Sequence, residues 1–127
     1  MITFIKRLIF GTNPNDFNAQ FTKCESKMEE RFLLAAWPVL RQYGRVVTQH
    51  PLGSYRLDVA LPERKICVEV DGRDYHAVDP EQVDNDKRRD RVLMRFGWIT
   101  IRYPGREVWA DADACAREVE AIILRRG

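Results

Sequence analysis

Cysteine is scarce in this chain and histidine scarcer: the 127 residues hold Cys24, Cys67, Cys115, His50 and His76. The cysteines are isolated and odd in number. That excludes a disulfide framework and a zinc finger recognisable from sequence, and it fits a reducing, cytoplasmic compartment. Two histidines are too few for a histidine-rich metal centre. No apolar run approaches the roughly 18 residues of a membrane span. The opening MITFIKRLIF is interrupted by Lys6 and Arg7 and lacks a small-residue cleavage site, so it does not read as a signal peptide. Neither sign of charge dominates, with 21 Lys and Arg against 19 Asp and Glu and a net charge of +2. Nucleic-acid binding is compatible with that balance but not argued by it. There is no internal repeat and no low-complexity tract.

What is present suffices for one soluble globular domain, with 45% hydrophobic and 31% charged residues. Residues 1–23 read as an N-terminal extension of unclear role, with a turn at GTNPN, and residues 24–127 as the domain itself.

The stretch YRLDVALPERKICVEVDGRDYH, Tyr55 to His76, is the centre of the reading. Leu57, Val59 and Leu61 alternate with Arg56, Asp58 and Ala60, and after Pro62–Lys65 the alternation resumes with Ile66, Val68 and Val70 against Cys67, Glu69 and Asp71. Period two on both sides of a short polar loop predicts a β-hairpin. Pairing Leu61 with Ile66 puts Glu69 opposite Asp58 and Asp71 opposite Arg56, so three carboxylates share a face. Like charges on directly opposed residues, about 4.5–5.5 Å apart, are destabilising. A shared proton, a basic side chain such as Arg56, or a divalent cation would offset the repulsion; a solvated face with mixed charge is the plain alternative. The β-branched run from Ile66 to Val70 suggests a covered strand, where acids need partners.

Ser26-Lys27-Met28-Glu29 is a capping box and predicts a helix, with Met28, Phe32, Ala35, Ala36, Val39 and Leu40 on its apolar side. Pro38 is expected to end or kink it. Glu29 serves as a cap, or else Glu29 or Glu30 beside it leans as an acid toward the hairpin. Arg45–Gln49 reads as a short strand leading through a loop at His50–Gly53 into the hairpin. A further helix runs from about Pro80 or Val83 to Phe96, with Val83, Val92, Leu93 and Phe96 inward and Gly97 beyond its end. Its other face carries Lys87, Arg88, Arg89, Arg91 and Arg95 against Asp84, Asp86 and Asp90, either a solvated surface or a grip for phosphates. Trp98–Tyr103 reads as a strand, and Asp111 or Asp113 as the cap of a last helix with Ala114, Val119, Ile122 and Ile123 inward. Strand, helix, strand from Val68 to Ile101 implies a crossover, and so a mixed sheet. The expected class is α/β, a mixed sheet of about four strands flanked by helices.

The order of a helix glutamate, strand Asp58, strand Glu69-Val70-Asp71-Gly72, His76, then Asp86-Lys87-Arg88-Arg89-Asp90 with Leu93, Gly97, Trp98 and Arg102 resembles the very-short-patch-repair (Vsr-like) endonucleases of the PD-(D/E)XK superfamily. It is similar as well to the homing-endonuclease catalytic domains with a Glu-Asp-His-Asp site. VDGxxxH followed by DxxRDxxLxxxGW places several independent constraints in order, and the likeness covers Ser26 to Tyr103. The resemblance implies an α-β-α restriction-endonuclease-like fold and a Mg²⁺-dependent DNA endonuclease, with Mn²⁺ as a substitute ion. It also implies that Asp58 is the principal metal ligand, the Val70 carbonyl a second, and Glu69 or Asp71 the completion of the shell. His76 would sit by the scissile phosphate, Glu29 would orient the attacking water, and Asp86, Arg89 and Asp90 would form the following helix motif, with Arg89 on phosphate or bracing the acids. Lys87, Arg88, Arg91 and Arg102 would complete a DNA-binding set. The chain departs from the superfamily in carrying Asp71 where many members have a lysine, which leaves His76 to handle the proton. The alternatives are a catalytically inactive nucleic-acid-binding module of the same fold, and an interaction domain whose acids pair with Arg56 and Arg89. So small a domain offers little surface for long sequence recognition, which points to a homodimer or an external targeting module.

Overall fold

The computed structural model describes residues 16–71 and 79–127. Within them, α1 (Phe17–Lys23) and α2 (Lys27–Leu40) precede three antiparallel strands, β1 (Val47–Leu52), β2 (Tyr55–Leu61) and β3 (Ile66–Asp71). Helix α3 (Pro80–Arg95) then returns the chain so that β4 (Ile99–Pro104) lies parallel to β3, and α4 (Gly105–Arg126) closes it. The sheet order is β1-β2-β3-β4. Four strands, mixed, with helices on both faces, make the restriction-endonuclease-like α/β architecture.

The hairpin forms in the expected register, Leu61 with Ile66, Ala60 with Cys67 and Val59 with Val68. Its loop is a 3₁₀ turn, Pro62–Arg64, closed by Lys65 at φ 54°. One face of the sheet packs Val59, Leu61, Ile66, Val68, Val70 and Tyr103 against Phe32, Leu33, Ala36 and Leu40 of α2 and Val108, Cys115, Ala116, Val119 and Ile123 of α4. The other face buries Ala60 and Cys67 under Leu93 of α3, together with Trp98. Burying a large apolar side chain contributes about 1.5–3 kcal/mol, so the first layer dominates the stability.

Several expectations are corrected. Leu57 packs with Ala60, Cys67, Leu93 and Trp98, and not with Val59 and Leu61. The alternation breaks at Asp58, which faces Gln49 on β1 between the pairs Thr48–Val59 and His50–Leu57, and Gln49 has a left-handed φ of 49°. Such a residue in a strand is a local distortion that re-aims its neighbours. Strand β1 runs to Leu52 through Pro51, which an edge strand tolerates because it need not donate there. Pro38 lies inside α2, which continues to Leu40 and then a 3₁₀ turn, because a proline in the last turn costs few helical bonds. Phe96 is 68% exposed, past the end of α3, and Ala114 is exposed while Cys115 and Ala116 are buried. Asp111 does cap, accepting from the Ala114 amide at 2.9 Å, but at a break inside α4, where its φ of −160° is non-helical.

Phe17 and Phe21 of α1 lie against the main core, Phe17 edge-on to Trp37, and Gln20 is buried. No helix among the described residues is long and apolar enough to cross a membrane.

Candidate active site

Asp58, Glu69 and Glu29 come from three different elements and converge on one end of the sheet. Glu69 is buried on β3, beside Arg102 of β4 in the parallel ladder. Its Oε1 accepts from Arg89 Nη2 of α3, and its Oε2 lies 3.4 Å from the Asp58 amide, which donates to it. Asp58 answers across the hairpin, its Oδ2 accepting from the Val70 amide at 3.1 Å. Each carboxylate thus accepts from a backbone amide of the facing strand. Burial first, then the hydrogen bonding and the charge of the Asp58 side chain, push Glu69 up to about 8, and Arg89 and Arg102 offset this only in part.

Glu29 reaches the same place from the first turn of α2. Ser26 caps that helix as expected, its Oγ accepting from the Glu29 amide at 3.1 Å. The reciprocal half of the box is shifted by one residue, because Glu29 Oε2 accepts from the Glu25 amide at 3.0 Å and also from Gln49 Nε2 at 3.1 Å. Its carboxyl is raised, first by burial and then, against the lowering of the Glu25 amide, by the charge of Asp58. Asp58 is therefore the acid that both others sense. Cys24, close by, has its thiol pushed up to about 12 by burial and by Glu29, Glu30 and Asp58, so it stays protonated.

The basic residues divide. Arg89 is turned inward, donating to Glu69 and, at 3.2 Å, to the Arg56 carbonyl, with its guanidinium over the Tyr55 ring. Arg102 clasps Asp90 with Nε at 3.1 Å and Nη2 at 2.8 Å, and Asp86 lies 3.9 Å from its Nη1. The helix motif thus holds Arg102 through Asp86 and Asp90 and Glu69 through Arg89. Lys87, Arg88 and Arg91 face solvent. Arg56, a candidate counter-ion for the acids, pairs with Glu25 instead.

Asp71 is half-buried at the end of β3, level with Pro104 of β4. His76 lies outside the described residues. Among those described, no group of three His, Cys, Asp or Glu side chains could hold a metal ion. Mg²⁺ is commonly held by one or two carboxylates, completed by waters and substrate phosphates, and the Asp58–Glu69 pair is a donor set of that kind. Sequence reasoning missed Gln49 and the buried Gln20 behind it, because neither carries a motif; a non-glycine residue at positive φ is visible only in the backbone.

The solved catalytic domain of the homing endonuclease I-Bth0305I shares the fold, with a TM-score of 0.58 over 76% of this chain and 92% of that one at 19% identity. The uncharacterized protein YcjD of Escherichia coli K12 is 31% identical over 78 residues, 61% of this chain and 63% of YcjD. Residues 37–123, well over half of the sequence and including β1 to β4, match the REase_MTES_1575 model, and the chain belongs to that family of restriction-endonuclease-like domains.

Proposed function

We propose that the protein is a metal-dependent DNA endonuclease of the Vsr-like type, hydrolysing phosphodiester bonds at the end of the sheet where Asp58 and Glu69 meet. The observation that carries this reading is the close approach of the buried Glu69 carboxylate to half-buried Asp58, with Glu69 raised to about 8 although an arginine is paired to it. Two carboxylates crowded together in this way, one of them buried, have a use for a divalent cation. The ion, Mg²⁺ or Mn²⁺, would supply charge relief for the phosphoryl oxygens and activation of the attacking water. Asp58, the Val70 carbonyl and Glu69 or Asp71 would hold it. Arg89 keeps Glu69 pointed at Asp58, and Glu29 stands ready to accept a proton from, or orient, the water. His76 is assigned the scissile phosphate, as base or as donor to the developing charge. The solvated cations Lys87, Arg88 and Arg91 on α3 suit the DNA backbone, whose contacts position without reading sequence. Arg102, held by two aspartates, serves the helix motif first.

The test compares wild type with Asp58→Asn on supercoiled, linear and mismatched DNA in Mg²⁺ and Mn²⁺. Asparagine keeps an acceptor for the Val70 amide, so the fold should persist while cleavage is lost. Cleavage by the variant at the wild-type rate would refute the assignment of Asp58; DNA binding without cleavage by wild type would favour an inactive binding module.

A further inference from the structure

We propose that Gln49 is a positioning residue of this site, holding Glu29 so that one of its carboxylate oxygens is occupied and the other is presented beside Asp58. The inference rests on the endonuclease reading above. Gln49 sits on β1 opposite Asp58, at the one place where the hairpin's alternation breaks, and its φ of 49° is a conformation that a glutamine adopts only against a penalty. Glycine would be the undemanding residue there. What the conformation yields is a hydrogen bond across elements, Gln49 Nε2 donating to Glu29 Oε2 at 3.1 Å. The Glu25 amide donates to the same oxygen at 3.0 Å. Two donors on Oε2 fix the plane and tilt of a carboxylate that a single cap would leave free to swing.

The distortion is itself held from behind. The residue before Gln49, Thr48, is fully buried, and its amide donates to Gln20 Oε1 at 2.9 Å while its hydroxyl donates to the Gln20 carbonyl at 2.6 Å. Helix α1 thereby clamps the peptide that leads into Gln49, and the ladder to β2 resumes at His50. A chain of neighbours joins Gln20, Thr48, Gln49 and Glu29, and gives the first described helix a part in shaping the acids.

Gln49→Gly separates the two roles, since glycine relieves the backbone and removes the amide. The experiment measures melting temperature, DNA affinity and single-turnover cleavage in Mg²⁺ for wild type, Gln49→Gly, Glu29→Gln and the double variant. Gln49→Gly is expected to melt no lower than a few degrees below wild type, to bind DNA within about twofold, and to cleave at least about tenfold slower. In the Glu29→Gln background the same change should cost little more, because interacting residues are non-additive. Gln49→Asn, which tolerates the left-handed region but is too short to reach Glu29, should reproduce the slow rate if the glycine variant folds poorly. Wild-type cleavage by both variants, or a loss that is additive with Glu29→Gln, would overturn the role of Gln49 and leave the endonuclease reading standing. A wild-type protein that cuts no DNA in either ion would overturn both.

Discussion

Replacing Glu69 with glutamine should make the metal-free protein more stable at alkaline pH, the reverse of what removing one partner of a buried ion pair ordinarily does. Folding lifts this carboxyl from 4.5 to about 8, through burial and the neighbouring Asp58. A carboxyl whose affinity for its proton rises on folding gives its full stabilisation below the unfolded value and loses it as pH climbs through the folded one, because the folded state binds the proton that the unfolded state has released. At about 1.36 kcal/mol per tenfold, the span is on the order of 5 kcal/mol, a ceiling for so tightly packed a pair. Glutamine is a neutral isostere of the protonated acid and still lets Arg89 find an oxygen. Urea unfolding in buffer with chelator, from about pH 4.5 to 8.5, should give curves that meet at the acid end and diverge upward, the variant ahead by a few kcal/mol at the alkaline end. Glu29 is shifted in the same direction, so the variant keeps a shallower slope of the same sign. Parallel curves, or a variant that is weaker at pH 8.5, would refute the idea that the two carboxylates crowd one another.

Gln20→Ala would strip the buried Thr48 amide of its acceptor, at a cost of about 1–3 kcal/mol, read from the urea midpoint. A change near zero would mean that α1 is not anchored there. Replacing Lys87, Arg88 and Arg91 together by alanine should weaken DNA binding irrespective of sequence and flatten its salt dependence by about 0.9 in log–log slope for each phosphate that is no longer neutralised. An unchanged slope would remove that face of α3 from the DNA interface.

The hairpin and its register were legible because apolar alternation on both sides of a four-residue loop leaves little choice of pairing. Helix α3 was legible for similar reasons, with Asp79 capping one end, its carboxylate accepting from the Glu81 amide at 3.0 Å, and Gly97 at φ 86° past the other. What escaped depends on distant partners. Arg56 alternates correctly yet pairs with Glu25, which is 31 residues earlier. Leu57 lies on the face away from Val59, next to a left-handed residue on the adjacent strand, and alternation alone reveals neither. Arg89 looks like its neighbours in a run of cations and Arg102 like a lone strand arginine, and only the fold shows that each is held by an acid of its own chain. Helix α1 carries its polar anchor inward, against the pattern by which polar residues usually mark the surface.

The mixed sheet also bears on the order of assembly. Strands β2 and β3 are joined by four residues and can zip within microseconds, whereas β4 must wait for the crossover helix to form and dock. The nascent hairpin therefore brings Asp58 and Glu69 together before the guanidinium that will neutralise them, 20 residues further along the chain, has arrived. Early refolding should consequently run faster in mild acid or in high salt, and the rate advantage should vanish when Glu69 is made neutral.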